Sequence, residues 1–230
     1  MIEKRPSNDR GSTNIDWLDS RHSFSFGQYH DASRQSHGAL RVINDDRVAA
    51  LQGFGTHPHR NAEIVSYVLS GALEHRDSMG NGNVIKPGQF QYMSAGRGVT
   101  HSEFNPNDET SHFLQIWLLP NEENAEPAYA QSDIAQIEPK NGLQLIASNI
   151  DPAAPIQWRT DATLWRGSYT IGDSGELPGN GDRGYLHVIK GKLQLGEISL
   201  SEGDAAAISN ESSSLNLVGL EDSEFLWFSL

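Results

Sequence analysis

Short apolar runs recur along the chain, several of them alternating with polar residues: Ile64–Leu69, Phe90–Met93, Phe113–Leu119, Tyr185–Ile189, Leu193–Leu195, Leu215–Val218 and Phe225–Phe228. They are rich in β-branched and aromatic side chains, which suit a pleated, half-buried surface, so they predict strands. Turn signals separate them at Ser70-Gly71, Gly80-Asn81-Gly82, Pro87-Gly88, Gly179-Asn180-Gly181 and Lys190-Gly191. No apolar stripe at helical spacing lasts longer than about two turns. The pattern predicts an all-β chain of sandwich or barrel type.

Proline divides this pattern. Five of the ten prolines fall in residues 120–155, where missing backbone donors disfavour long paired strands. That stretch predicts a connecting arm over 121–155, between an N-terminal domain at 1–120 and a C-terminal domain at 156–230. The two halves share phrases. Val68-Leu69-Ser70-Gly71-Ala72-Leu73 parallels Val188-Ile189-Lys190-Gly191-Lys192-Leu193, and Lys86-Pro87-Gly88-Gln89 parallels Ser201-Glu202-Gly203-Asp204. Two copies of one β-unit explain this most simply. Eight of the nine histidines precede residue 120 and the second copy keeps only His187, so histidine chemistry belongs to the first copy.

Charge and composition narrow the class. The 230 residues carry a net charge of −13, with 11 basic and 13 acidic residues up to Pro120 and 6 against 17 after it. Neither half has the basic excess that displaces counterions from phosphates, which argues against nucleic-acid and anionic-membrane partners. Cysteine is absent, so any metal must be held by imidazole and carboxylate. The N-terminal stretch lacks a signal-peptide core and no run of about 20 apolar residues occurs, which makes a cytoplasmic location the expectation.

Two segments concentrate the chemistry. In Gly53-Phe54-Gly55-Thr56-His57-Pro58-His59 the histidines stand two apart with proline between them. In an extended chain they share a face, with Cα atoms roughly 6.5–7 Å apart, close enough to converge on one ion. A second segment, Gly96-Arg97-Gly98-Val99-Thr100-His101-Ser102-Glu103, repeats the parity with an imidazole and a carboxylate. On neighbouring strands His57, His59, His101 and Glu103 make a three-nitrogen, one-oxygen set for a divalent first-row transition metal. His22, His30, His37, His75 and His112 lack such pairing and read as surface or satisfied-core residues. Ser102 has no nucleophile elbow around it and points away from the set. Phe24, Phe26, Phe54, Tyr92 and Trp117 are candidates for an aromatic pocket, with packed core as the default.

Three neutral imidazoles and one carboxylate leave about one net positive charge at a divalent ion, with one or two open positions. Such a centre lowers the pKa of a bound hydroxyl, and the carboxylate stands ready to accept the proton. A planar phenol or enol that enters neutral suits both the site and the acidic chain.

These residues resemble the signatures of the cupin superfamily: His57-x-His59, Glu63 and Gly71 fit its first motif, and Gly98, His101 and Asn105 its second. The phrases GFGTHPHRNAEIVSYVLSG, EHRDSMGN and YMSAGRGVTHSEFNP, with the lead DWLDSRHSFSFGQY, look like the pirin branch of bicupins. This likeness runs from about Asn14 to Leu119; the C-terminal half matches only in strand pattern. It implies two jelly-roll β-barrels or sandwiches packed together, the second without metal ligands. General cupins would nominate Glu63 as the oxygen ligand, whereas the pirin likeness nominates Glu103, also as the catalytic base. It further implies a quercetin 2,3-dioxygenase: the flavonol 3-hydroxyl meets the metal, Glu103 takes its proton, and dioxygen opens the ring with loss of carbon monoxide. Iron(II) is the first expectation for the ion, with manganese, cobalt, nickel, copper and zinc also accepted by such a set. A small aromatic substrate, dioxygen and a monomeric chain complete that reading. The competing expectation is a non-enzymatic metal-binding protein whose redox state tunes contact with a regulatory or metabolic partner.

Overall fold

The computed structural model describes residues 1–137, 139–179, 183–211 and 214–230; of the turn expected at Gly179-Asn180-Gly181, the last two residues lie outside these. In chain order the first strands are β1 (Ile2–Arg5), β2 (Gly11–Ile15), β3 (Leu18–His22), β4 (Leu40–Val48), β5 (Gly53–His59) and β6 (Glu63–Ser70). Then come β7 (Leu73–Asp77), β8 (Gly82–Ile85), β9 (Gln89–Ser94), β10 (Val99–Phe104), β11 (Ser111–Leu118) and β12 (Ala128–Asp133). The second half adds β13 (Leu143–Ser148), β14 (Ile156–Gln157), β15 (Thr163–Tyr169), β16 (Ser174–Glu176) and β17 (Arg183–Lys190). It ends with β18 (Lys192–Leu195), β19 (Ile198–Ser201), β20 (Ala205–Ser209), β21 (Asn216–Gly219) and β22 (Ser223–Ser229). Two single-turn 3-10 segments, Ser7–Asp9 and Ile134–Gln136, are the only helices among the described residues, and no helix is long and apolar enough to cross a membrane.

The chain forms two compact units, one of residues 11–136 with 158–160, the other of residues 1–10, 137–157 and 161–230. The first holds a seven-stranded sheet in the order β12-β9-β6-β11-β4-β3-β2 and a four-stranded sheet β5-β10-β7-β8. The second holds β1-β20-β17-β22-β15-β13-β14 and β16-β21-β18-β19. Every sheet has two edges, so the jelly-roll β-barrels expected from the sequence are not what forms: the fold is all-β, built of open sheets. Alternating runs with glycine turns dictate which face of a strand is buried, and that pattern is the same for a closed barrel and an open sheet. Closure would need every edge to find a second neighbour, and Pro58 on the outer strand β5 withholds a ladder donor there.

The internal repeat is explicit in the pairing. Strands β4 to β11 and β15 to β22 occupy equivalent places in their sheets. Registers coincide as well: Ser66 lies opposite Gln91 and Gln115, and at the equivalent place Leu186 lies opposite Ala206 and Trp227. The shared phrases make equivalent hairpins. Gly71 turns with φ +75° and Gly191 with φ +80°, and a Cβ at either would strike the backbone or side chain of Ser111 or Ser223 respectively. The proline-rich stretch does contain two six-residue strands, β12 and β13, contrary to expectation. The prolines flank these strands rather than interrupt them: Pro127 precedes β12, an edge strand that needs only one ladder, to β9, and Pro139 and Pro152 lie on either side of β13.

Candidate metal centre

The site is assembled on β5 and β10, adjacent antiparallel strands. His57 lies directly opposite His101, and a register shift between His101 and Glu103 brings Glu103 opposite Phe54. Pro58 is tolerated between the two histidines because β5 is an edge, and the extended backbone keeps His57 and His59 on one face. On β10, Val99, His101 and Glu103 are buried while Thr100 and Phe104 are exposed, which is strand parity made visible.

The nitrogens converge. One ligand atom from each of His57, His59 and His101 lies within 4.8 Å of the others. His57 Nδ1 donates to the Gly55 carbonyl at 2.8 Å, which leaves its Nε2 lone pair free. That Nε2 stands 3.1 Å from His101 Nε2. Two nitrogens each about 2.1 Å from one ion would be this far apart at an angle near 95°, so the donor set fits a divalent transition metal. Burial foremost, then repulsion from the neighbouring imidazoles, lowers His59 to about 4 and His101 to about 3. Both rings are therefore neutral at physiological pH, the form that ligates.

Glu103 belongs to a second, overlapping group with His101 and His75. It is buried, and the sheet across from it holds its carboxylate. Gln115 donates to both oxygens, at 2.9 and 2.7 Å, and the Ser66 hydroxyl donates at 3.1 Å. Its negative charge also acts on His59, against the lowering.

Sequence reasoning missed the support of His101. His75, read as a bland residue, is fully buried with its Nδ1 3.4 Å from His101 Nδ1, while its Nε2 donates to Asp77 Oδ2 at 3.1 Å. With His101 Nε2 turned to His57, its Nδ1 carries the proton and donates to His75. The result is a carboxylate–imidazole–imidazole chain that fixes ring orientation and raises ligand basicity. The signal available was parity, since His75 and Asp77 stand two apart as His57 and His59 do. Glu63 faces elsewhere: it accepts from the Tyr92 hydroxyl, from Ser94 at 2.7 Å and from the Arg159 backbone at 3.1 Å, and touches no imidazole. Asn105 is a tie for the backbone, its amide donating to the carbonyls of Val48, Ala49 and Glu109.

A cavity of about 560 Å³ adjoins the cluster, with His57, His59 and Glu103 in its wall. Of the candidate aromatics Phe26, Phe54 and Trp117 line it, whereas Phe24 and Tyr92 are packed away. No lysine or arginine is among its lining residues. Asp46 is, and burial foremost, with the charges of Glu103 and Asp45, raises its carboxyl to about 7 against a lowering hydrogen bond from Ser20.

The second unit shows the same framework without ligands. By register Leu217 replaces Glu103 and Leu195 replaces His75, while Leu186 and Trp227 replace Ser66 and Gln115. One step further along the same strands Leu177 and Leu215, joined by a backbone hydrogen bond of 2.8 Å, stand where His57 and His101 do. All six belong to one apolar cluster.

Comparison with known proteins accords with this division. Residues 3–118 match the family described as Pirin and residues 145–230 the one described as Quercetinase C-terminal cupin domain. Quercetin 2,3-dioxygenase of Escherichia coli strain K12 is 40% identical over 232 residues, covering 100% of this chain and 99% of the relative. The crystal structure of bacterial pirin YhhW in complex with nickel(II), from the same species, superposes with a TM-score of 0.94 at 39% identity, covering 100% of this chain and 99% of that one. GK1651 from Geobacillus kaustophilus superposes with a TM-score of 0.80 at 25% identity, over 99% and 93% of the two chains. A paired match of this kind, over a framework that keeps its clustered histidines in the first copy alone, identifies the chain as a member of the pirin family.

Proposed function

We propose that the chain is a metal-dependent dioxygenase that opens the ring of a flavonol such as quercetin, with His57, His59, His101 and Glu103 holding one divalent transition metal, iron(II) by preference. The observation that carries this is three imidazoles with converging nitrogens in the wall of an aromatic-lined cavity. A bound ion of this kind supplies Lewis acidity toward a hydroxyl and a route for dioxygen to react.

The chain's own residues do the rest. Phe26, Phe54 and Trp117 offer flat apolar surface to a planar substrate, and a cavity of about 560 Å³ is in the size range of small-molecule sites. The absence of lysine and arginine from the lining favours a phenol that enters neutral. Glu103 accepts the proton of the flavonol 3-hydroxyl, and Gln115 and Ser66 hold its carboxylate for that transfer. Both atoms of dioxygen enter the products, as a depside forms and one ring carbon leaves as carbon monoxide.

The flavonol absorbance band tests the activity. Metal-loaded protein should bleach it in air and not under argon, and His57→Ala should abolish the loss; bleaching without oxygen, or none at all, overturns the reading. A metal titration of Glu103→Ala beside Glu63→Ala tests the oxygen ligand, since full affinity in the former removes Glu103 from the set.

A further inference from the structure

Beside the cavity at the imidazole cluster lies a second one of about 280 Å³, and the two share Phe26, Gly27 and Trp117 as a common wall. The smaller cavity differs in charge. Arg41 on β4 lines it and no carboxylate does. The Arg41 Nη1 donates to the Ser25 carbonyl at 3.1 Å and to the Gln35 carbonyl, and these two bonds hold the guanidinium in place. Its Nε and Nη2, the side-on edge of the fork, have no partner among the described residues, and neither is shut off from solvent. The carboxylates nearby are taken: Asp45 pairs with Arg47 further along β4, and Asp31, in the loop that carries Ser25 and Gln35, accepts from Ser33 and faces Arg34. A guanidinium edge left open in this way matches a carboxylate from outside the chain through two parallel bonds.

Ring opening creates such a group. The flavonol enters neutral, and its C2–C3 and C3–C4 bonds break as C3 leaves as carbon monoxide with the hydroxyl oxygen. One atom of dioxygen completes an ester at C2 and the other a carboxylic acid at C4, which carries the hydroxyl's proton until it ionises. A carboxylic acid of this kind is an anion at neutral pH. We infer that the Arg41 cavity is a binding site for an aromatic carboxylate, the acid of the ring-opened product. This rests on the flavonol reading and adds to it a separation of product from substrate by charge. The main cavity, without lysine or arginine, suits the neutral flavonol, whereas the product gains an ion pair only in the neighbouring one.

Calorimetric titration of metal-loaded full-length protein tests this with 4-hydroxybenzoate and, as its uncharged counterpart, phenol. Wild type should bind 4-hydroxybenzoate about tenfold or more tightly than phenol, and Arg41→Gln, which keeps a donor for the Ser25 and Gln35 carbonyls, should lose that difference. Arg41→Lys, which keeps the charge without the fork, should recover part of it and repeats the measurement should the glutamine variant fail to fold. The ring-opened acid, purified from completed turnover, should inhibit quercetin bleaching about tenfold more strongly in wild type than in Arg41→Gln, while the KM for the neutral flavonol moves far less. Equal affinity of wild type and Arg41→Gln for 4-hydroxybenzoate overturns the site. Loss of 4-hydroxybenzoate binding with product inhibition unchanged overturns its assignment to the product. Wild-type protein that binds 4-hydroxybenzoate through Arg41 yet never bleaches quercetin overturns the flavonol reading, and the product assignment with it, but not the carboxylate site.

Discussion

Asp46→Asn should stabilise the protein, and by an amount that depends on pH. In the unfolded chain its carboxyl titrates near 3.8, whereas in the fold it holds its proton to about 7. Below the first value both states are protonated and the group costs nothing. Between the two the unfolded chain releases its proton while the fold retains it, so stability falls as pH rises, and above 7 the full cost is present. At about 1.4 kcal/mol per pH unit, the cost is about 1.5 kcal/mol at pH 5 and on the order of 4 kcal/mol at pH 8. The charges that press on Asp46 are Glu103 from β10 and Asp45 beside it, with Ser20 opposing them. Asparagine carries no charge at any of these pH values, so the advantage of the variant should grow by a few kcal/mol across this range. Urea denaturation of chelator-treated protein, followed by tryptophan fluorescence from pH 5 to 8.5, measures it. A difference between variant and wild type that does not change with pH refutes the reasoning.

Other perturbations probe the centre itself. His75→Phe cuts the chain from Asp77 to His101 and should weaken metal binding about 10–100-fold in competition with a chelator, as the loss of a ligand's outer partner commonly does; unchanged affinity would remove the chain from the account. Gln115→Leu takes away the donor that serves both Glu103 oxygens and should destabilise by about 1–3 kcal/mol in urea while slowing flavonol turnover. The lowered His59 and His101 work in the opposite sense to Asp46. As pH falls from 6.5 toward 4 the unfolded chain takes up protons these folded rings refuse, so chelator-treated protein loses stability there, and His101→Leu should flatten that fall.

Much of this was legible in the sequence where a local rule applied. The run Phe113–Leu119 became β11 and Tyr185–Ile189 became β17, because alternating β-branched and aromatic residues leave little choice of backbone. Histidine parity kept His57 and His59 on one face of β5 for the same reason. What depended on neighbours distant in sequence was not legible. Whether a sheet closes is decided at its edges, and edges carry no separate apolar code. His75 looked isolated because its partner His101 is 26 residues away, joined to it only by the pairing of β7 with β10. Glu63 sat in a plausible motif position, yet the buried Tyr92 and Ser94 on β9 claim its oxygens.

The leucines of the second unit carry a lesson for the first. Leu177, Leu195, Leu215 and Leu217 gain about 1.5–3 kcal/mol apiece from burial, on the order of 6–12 kcal/mol that a cluster of imidazoles and a carboxylate does not supply. An ion held by the imidazole cluster would thus also act as a staple for that half. With the ion removed, that half should be the one more readily opened to a protease, which limited digestion with and without chelator would read.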